Sequence, residues 1–113
     1  MPLTPQVWQS SIPGVEEFRA QQFTAALPLL LRSAQQGYAE AQCMLGNIYQ
    51  LGIGDTEVNE AAAIHWYYQA ARQGYSVATG NLAGMVWAIS PEAASALHQL
   101  SQQQRQRIRA QAC

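Results

Sequence analysis

The sequence predicts an all-α domain made of two stacked helix-turn-helix repeats, with a short N-terminal cap and helical C-terminal caps. Two observations carry this prediction. The 113 residues include 19 Ala and 16 Gln, which suit helices, while the β-branched residues typical of strands are scarce. The chain also matches itself at a spacing of 37 residues.

The internal match is strongest in the first half of the chain. Between positions 25 and 45, eight of 21 residues recur 37 positions later, where chance gives about one or two. Gln36, Gly37 and Tyr38, for example, recur as Gln73-Gly74-Tyr75. A period of this size indicates one pair of helices that is copied and stacked.

The N-terminal residues predict little regular structure. Thr4-Pro5 favours a single helical turn, with Trp8 folded back on the body. The prolines and glycine that follow break this turn, and a short helix is predicted over residues 15–20. We interpret this short helix as a cap on the first repeat.

The first repeat contains two predicted helices. One runs to residue 36, and Pro28 is tolerated if that helix begins near Thr24, because early N–H groups have no helical partner. Gly37 provides its left-handed end. The second covers about residues 39–50, and Gly46 on its apolar face indicates close approach of a neighbouring helix.

The second repeat follows the same plan. A loop is predicted at residues 51–58, and Asn59 is the expected N-cap of the third helix. That helix is expected to end at Gln73, before Gly74, and the fourth helix to cover residues 77–89.

The C-terminal segment begins with a helix start signal. Ser90-Pro91-Glu92 combines a capping side chain, proline at the first helical position and an acidic first turn. We expect one helix over 91–99 and another over 102–112 capped by Ser101, or a single merged helix. The whole chain, 1–113, is then one domain, with repeat one at about 23–58, repeat two at about 59–90 and capping helices at about 91–112.

Several residues at fixed spacing resemble a known repeat. The second copy contains Trp66-Tyr67 and Ala70-Ala71 before Gly74, and the first copy contains Leu45-Gly46 before the loop glycines Gly52 and Gly54. This pattern, over residues 23–88, resembles the Sel1-like repeat, a relative of the tetratricopeptide repeat. Departures include Leu29 in place of the aromatic residue in copy one and Ala83 in place of Gly46 in copy two.

The resemblance implies a function in protein binding and no enzymatic activity. Proteins with these repeats are adaptors that hold a peptide or protein, and stacked helix pairs form a concave face. The helices that contain Leu45 and Leu82 would line this face. The predicted partner-binding residues are Glu40, Cys43, Asn47, Gln50, Val77, Gly84 and Trp87, with Gly80 beside them.

Several of these residues also have a structural interpretation. Cys43 is then a small buried hydrophobic residue. Trp87 packs under the C-terminal helix in that interpretation, since tryptophan is usually largely buried. Asn47 and Gln50 are then solvated side chains. Gly80 and Gly84 then mark close approach of the capping helix, which narrows or fills the groove.

Charge and composition exclude several classes of function. The net charge of −1 predicts no overall attraction to nucleic acid or to a membrane surface. The cluster Arg105, Arg107 and Arg109 is interpreted as a solvated helix face, with a weak contact to RNA or a membrane as the alternative. No segment has the apolar length of a membrane span or of a secretory leader. We therefore expect a cytoplasmic protein in which Cys43 and Cys113 are reduced thiols.

No arrangement of residues indicates catalysis, a metal or a cofactor. His65 and His98 lack the spacing of metal ligands, and Cys43 has no expected base. The alternative to an adaptor is a structural subunit or homodimer that uses the open ends of the repeat stack. The low charged fraction, 12%, motivates this alternative because interface cores are poor in charge.

Overall fold

The computed structural model describes the backbone of residues 12–112 and the side chains of residues 12–107. The described chain contains six helices and no strand, which confirms the all-α prediction. The predicted turn at Thr4-Pro5, Trp8, Cys113 and the side chain of Arg109 lie outside the described residues. The helices are α1 (Val15–Arg19), α2 (Phe23–Gln35), α3 (Ala39–Leu51), α4 (Glu60–Arg72), α5 (Ser76–Val86) and α6 (Pro91–Ala112).

The ends of α2 and α4 and the start of α4 agree with the sequence prediction to within one residue. Gly37 and Gly74 follow α2 and α4 with φ of 101° and 89°, a left-handed conformation that glycine adopts without steric cost. The Asn59 side chain accepts a hydrogen bond from the Ala62 N–H at 3.1 Å. The turn inside each repeat and the start of the second repeat are therefore formed by local backbone chemistry.

In the C-terminal region the end of α5 differs from the prediction, and the alternative of a single merged helix is confirmed. Helix α5 ends at Val86 rather than residue 89, because the N–H groups of Ile89 and Ser90 both donate to the Val86 carbonyl and turn the chain. The predicted fifth and sixth helices form one helix, α6. Ser101 does not cap a new helix, because its hydroxyl donates to the Ser76 carbonyl at 2.7 Å.

Proline 28 lies deeper in α2 than expected. The helix begins at Phe23, so Pro28 is in its second turn rather than among the first residues, whose N–H groups have no helical partner. The proline faces solvent, where water can hydrate the backbone carbonyl that it leaves without a helical donor. The apolar face of α2 is unaffected, since Ala26 and Leu30 are both fully buried.

The short helix α1 covers the start of the stack. Val15 is fully buried, and Gly14 packs so closely on Leu30 that a side chain there would meet the Leu30 backbone. The hydroxyl of buried Ser33 donates to the Pro13 carbonyl at 2.8 Å. These contacts explain why a helix of only five residues is held in place.

The closest contact between the repeats joins α3 to α4. Tyr67 of α4 is fully buried, and its ring lies directly over Gly46 of α3. A β-carbon at Gly46 would overlap that ring. The predicted close approach of a neighbouring helix at Gly46 is therefore confirmed, and the aromatic ring sets the distance between the two helices.

The Gly46→Ala variant should lose stability. We expect a loss of about 1–3 kcal/mol, because the new methyl group overpacks the site that Tyr67 fills. Chemical denaturation monitored by circular dichroism measures this loss.

Gly84→Ala is the matched control, since a β-carbon at Gly84 of α5 meets no atom within 4 Å. It should raise stability by about 1 kcal/mol through helix propensity alone. Equal effects of the two substitutions would contradict the proposed packing.

Candidate functional site

The predicted binding face is formed by α3 and α5, which lie side by side. A side-chain hydrogen bond joins them, from the Asn81 amide nitrogen to the Asn47 side-chain oxygen at 3.4 Å. Residues at equivalent positions in the two helices have very different surroundings. Polar side chains of the α3 half are hydrogen-bonded to other residues of the protein, whereas the predicted residues of the α5 half are exposed to solvent.

Asn47 and Gln50 of α3 are half-buried and bind the Tyr67 hydroxyl. The phenol oxygen lies 2.7 Å from the Gln50 side-chain oxygen and within hydrogen-bond distance of that of Asn47. A hydroxyl donates only one proton, so one of the two amides must turn its NH₂ group toward the phenol oxygen. Burial also raises the pKa of Tyr67, which keeps this hydroxyl protonated. The two amides are thus structural partners of Tyr67 and not simply solvated side chains.

Glu40 lies at the start of α3 and is paired with the N-terminal cap. Its carboxylate accepts a hydrogen bond from the Arg19 guanidinium at 2.7 Å, and Arg19 also contacts Glu16 at 3.3 Å. Because Arg19 and Glu16 belong to α1, this exposed network joins α1 to the predicted face. A partner that binds the Glu40 carboxylate must therefore compete with the Arg19 guanidinium.

The structure corrects the placement of Cys43. Its side chain is only 4% exposed and packs with Tyr67 and Leu82, so it contributes no surface to the predicted face. Burial, together with the nearby charge of Glu40, raises the pKa of the Cys43 thiol to about 12. Such a thiol is a poor nucleophile at neutral pH.

Val77, Gly84 and Trp87 of the α5 half are exposed. Trp87 is 59% exposed at the C-terminal end of α5, so the alternative that α6 buries it is wrong. Gly84 precedes it by three residues, which places both on one side of the helix. Together they form an aromatic and glycine surface next to α6.

Helix α6 covers only part of this surface. Near the α6 centre, a β-carbon at Gly80 would lie 3.4 Å from the Ser101 hydroxyl, so the helices are close. Toward Gly84 they separate and leave a cavity of about 520 Å³. The groove is therefore narrowed at one end and open at the other. The cavity is lined by Gly80, Ala83, Gly84, Trp87, Ala94, Ser95, His98 and Gln99.

The α6 side of this cavity is missing from the predicted site. Ala94, Ser95, His98 and Gln99 follow the spacing i, i+1, i+4 and i+5, which puts them on one helix face. The sequence contains that signal. The spacing alone does not show which face of the segment packs against α5, because it does not fix the orientation of α6.

The described residues provide no other chemical centre. No group of three or more His, Cys, Asp or Glu side chains within residues 12–107 is arranged to hold a metal ion. Among the described helices, none combines the length and apolar character required to cross a bilayer.

Comparison with known proteins assigns the repeat. Residues 39–75 match the family model of the Sel1 repeat. The chain contains a Sel1 repeat at these residues. The matched segment begins with α3 and ends just after α4, so it contains both Gly46 and Tyr67. Sel1 repeats are helical scaffolds that generally mediate protein–protein interaction and are generally not enzymes.

A curated relative supports the assignment. The chain is 41% identical over 56 residues to chitin synthase regulatory factor 3 of Schizosaccharomyces pombe. The match covers 50% of this chain but only 6% of the relative's length. No solved structure matches the Sel1-repeat chain.

Replacing Tyr67 with phenylalanine tests the buried hydroxyl. We expect Tyr67→Phe to lower the free energy of unfolding by about 1 kcal/mol, because Asn47 and Gln50 lose their shared partner. Tyr68→Phe is the matched control, since Tyr68 is 53% exposed on the same helix. Urea denaturation of both variants measures the difference, and equal losses would show that the hydroxyl network contributes nothing specific.

The raised pKa of Cys43 predicts loss of stability in alkali. Between pH 9 and pH 12 the unfolded chain releases the thiol proton while the folded chain retains it, so stability falls as pH rises. The contribution from this group has a slope of at most about 1.4 kcal/mol per pH unit. Denaturation at a series of pH values should give a shallower fall for Cys43→Ala, and an unchanged slope would refute the assignment.

Proposed function

We propose that this Sel1-repeat protein is a non-enzymatic interaction module that binds a peptide or protein segment on the face of α3 and α5. The observation that carries the proposal is the cavity between α5 and α6, with exposed Trp87 in its wall. Its volume of about 520 Å³ falls within the range of about 300–1,000 Å³ typical of ligand pockets.

Two physical arguments favour Trp87 as the main contact. Tryptophan provides a large contact area and is enriched among the residues that dominate binding energy. Its neighbour Gly84 carries no side chain, so a partner can approach the backbone of α5 closely. Val77, which is exposed at the start of the same helix, extends the apolar surface.

The α3 half contributes a rigid polar border. Asn47 and Gln50 are oriented by the Tyr67 hydroxyl, and Glu40 is oriented by Arg19. Oriented amides bind a peptide backbone with less loss of side-chain entropy than free ones do. Cys43 has no part in this border because it is buried.

The charge of the cavity also restricts the partner. Of the described residues that line it, His98 is the one with a titratable side chain. A strongly charged segment would lose hydration there without gaining an opposite charge. The expected partner is therefore a neutral or apolar protein segment, and nucleic acid and membrane surfaces are not expected ligands.

A peptide selection tests the proposal. We expect the full chain to select peptides from a displayed random library and to bind them measurably in calorimetry. Trp87→Ala should weaken the selected peptides at least tenfold, by about 1.4 kcal/mol or more. Ile89→Ala is the matched control, because Ile89 is 79% exposed nearby but does not line the cavity.

Other outcomes would contradict this function. If no peptide is selected, or if selected peptides bind Trp87→Ala as well as the wild type, the face is not the binding site. Asn47→Ala should weaken binding less than Trp87→Ala and should also lower stability, since Asn47 is bonded to Tyr67. Circular dichroism melting separates these two effects.

The second candidate is self-association through an end of the stack. The exposed side chain of Ile89, in the turn before α6, is the observation that favours it. Light scattering of a strict monomer at all micromolar concentrations would exclude a homodimer or homo-oligomer. The absence of enzymatic activity and of a cofactor, and a cytoplasmic location, stay predictions.

A further inference from the structure

Helix α6 corresponds to α4 in where it begins and in which residues it buries. When α4 is moved along the chain by 31 residues, its N-cap Asn59 falls on Ser90, which also accepts a hydrogen bond from the third residue after it. Ala63 falls on Ala94, and both are buried. The two helices therefore begin and pack in the same register.

Two glutamine side chains give a third correspondence. Gln73, which directly follows α4, falls on Gln104 of α6. The Gln73 amide donates to Gln42 at 2.9 Å, and the Gln104 side-chain oxygen accepts from Thr79 at 2.8 Å. Thr79 lies 37 residues after Gln42, so it is the equivalent position in the second repeat. Helix α6 thus occupies the place that the first helix of a third repeat would take.

The same two shifts along the sequence, 31 residues for α4 and 37 residues for α3, relate the cavity to the Tyr67 site. Tyr67 of α4 corresponds to His98 of α6. The α3 residues around Tyr67 correspond, 37 positions later, to the four α5 residues that line the cavity. In order, Cys43, Gly46, Asn47 and Gln50 become Gly80, Ala83, Gly84 and Trp87. The cavity is therefore the second copy of the site that holds an aromatic ring in the first copy.

Three substitutions explain why the second copy is hollow. His98 replaces the tyrosine, is exposed, and its Nε2 lies 3.2 Å from the Gln102 side-chain nitrogen. Gly80 and Gly84 remove the side chains that Cys43 and Asn47 provide in the first copy. Ala83 fills the small space left open at Gly46, so the remaining space lies over the two glycines, beside Trp87.

We propose that this cavity binds a tyrosine side chain of a partner peptide, in the place that Tyr67 fills between α3 and α4. This inference rests on the proposed function and adds the chemistry of the bound residue. The two glycines provide a flat floor for a ring, and Trp87 provides an aromatic wall suited to edge or offset contact. Such a wall favours an aromatic over an aliphatic side chain.

The polar residues of α6 select for a hydroxyl group. In the first copy the Tyr67 hydroxyl binds two side-chain amides. In the second copy Ser95, His98 and Gln99 line the cavity and supply hydroxyl, imidazole and amide partners. These side chains can hydrogen-bond to the hydroxyl of a bound tyrosine, whereas phenylalanine has no group that can bond to them. Tyrosine is therefore the preferred occupant.

A nuclear magnetic resonance titration of the full ¹⁵N-labelled chain tests this inference. The probe is 4-methylphenol, the analogue of the tyrosine side chain, and the control is 4-methylcyclohexanol, which has a similar size but no aromatic ring. We expect saturable shifts of the Gly80 and Gly84 amides and the Trp87 indole with 4-methylphenol. The control compound should bind at least fivefold more weakly.

Two variants locate the binding. Gly84→Leu fills the cavity, and its β-carbon enters open space, so the fold is retained. It should weaken 4-methylphenol binding at least tenfold. Gly84→Asn, which restores the residue found at Asn47, should weaken binding less. Ala96→Leu is the matched control, since Ala96 is exposed on α6 outside the cavity and its substitution should leave binding unchanged.

The results separate this inference from the proposed function. Absence of saturable shifts at Gly80, Gly84 and Trp87, or equal binding of both compounds, would overturn the tyrosine site. Selected peptides that lack an aromatic residue, or that bind Gly84→Leu unchanged, would also overturn it while the interaction function stands. Binding of 4-methylphenol without any selected peptide would support the site and overturn the function.

Discussion

The insertion of one tyrosine ring against one glycine determines how the repeats stack. Tyr67 reaches the backbone of α3 only because Gly46 has no side chain there. Because a ring and a helix backbone leave no space to collapse further, this contact sets the spacing of α3 and α4. The hydroxyl of the same ring bonds the side chains of Asn47 and Gln50 on α3 and orients them. Tyr67 therefore sets both the spacing of the two helices and the orientation of two polar side chains at the surface.

Glutamine side chains donate to carbonyl groups at the end of the first helix of each repeat, which also accept from the N–H of Gly37 and of Gly74. A helix end leaves carbonyl groups without helical partners, and a buried one needs a donor. Gln42 donates to the Ala34 carbonyl and Gln104 to the Ala71 carbonyl, at the ends of α2 and α4. The second donor comes from α6. In the second repeat α6 therefore supplies the donor that α3, a helix of the repeat itself, supplies in the first repeat.

The two interfaces of the stack differ in how they are filled, although their helices correspond in order and register. Between α3 and α4 the space is closed by Tyr67, and Cys43 packs beside it out of water. Between α5 and α6 the corresponding space is open, and Trp87 is left exposed on its edge. One architecture thus produces a core at one boundary and a candidate binding site at the next. The difference comes from a few side chains and not from a change of fold.

The sequence by itself determined the all-α class, the period of 37 residues, the ends of α2 and α4 and the Sel1 resemblance. These properties depend on local signals such as Gly37, Gly74 and Asn59, which act within a few residues. Only the tertiary structure decided that α6 is one helix, that Cys43 is buried and that Trp87 is exposed. These outcomes depend on which distant side chain fills a given space, and hydrophobic periodicity along one helix does not contain that information.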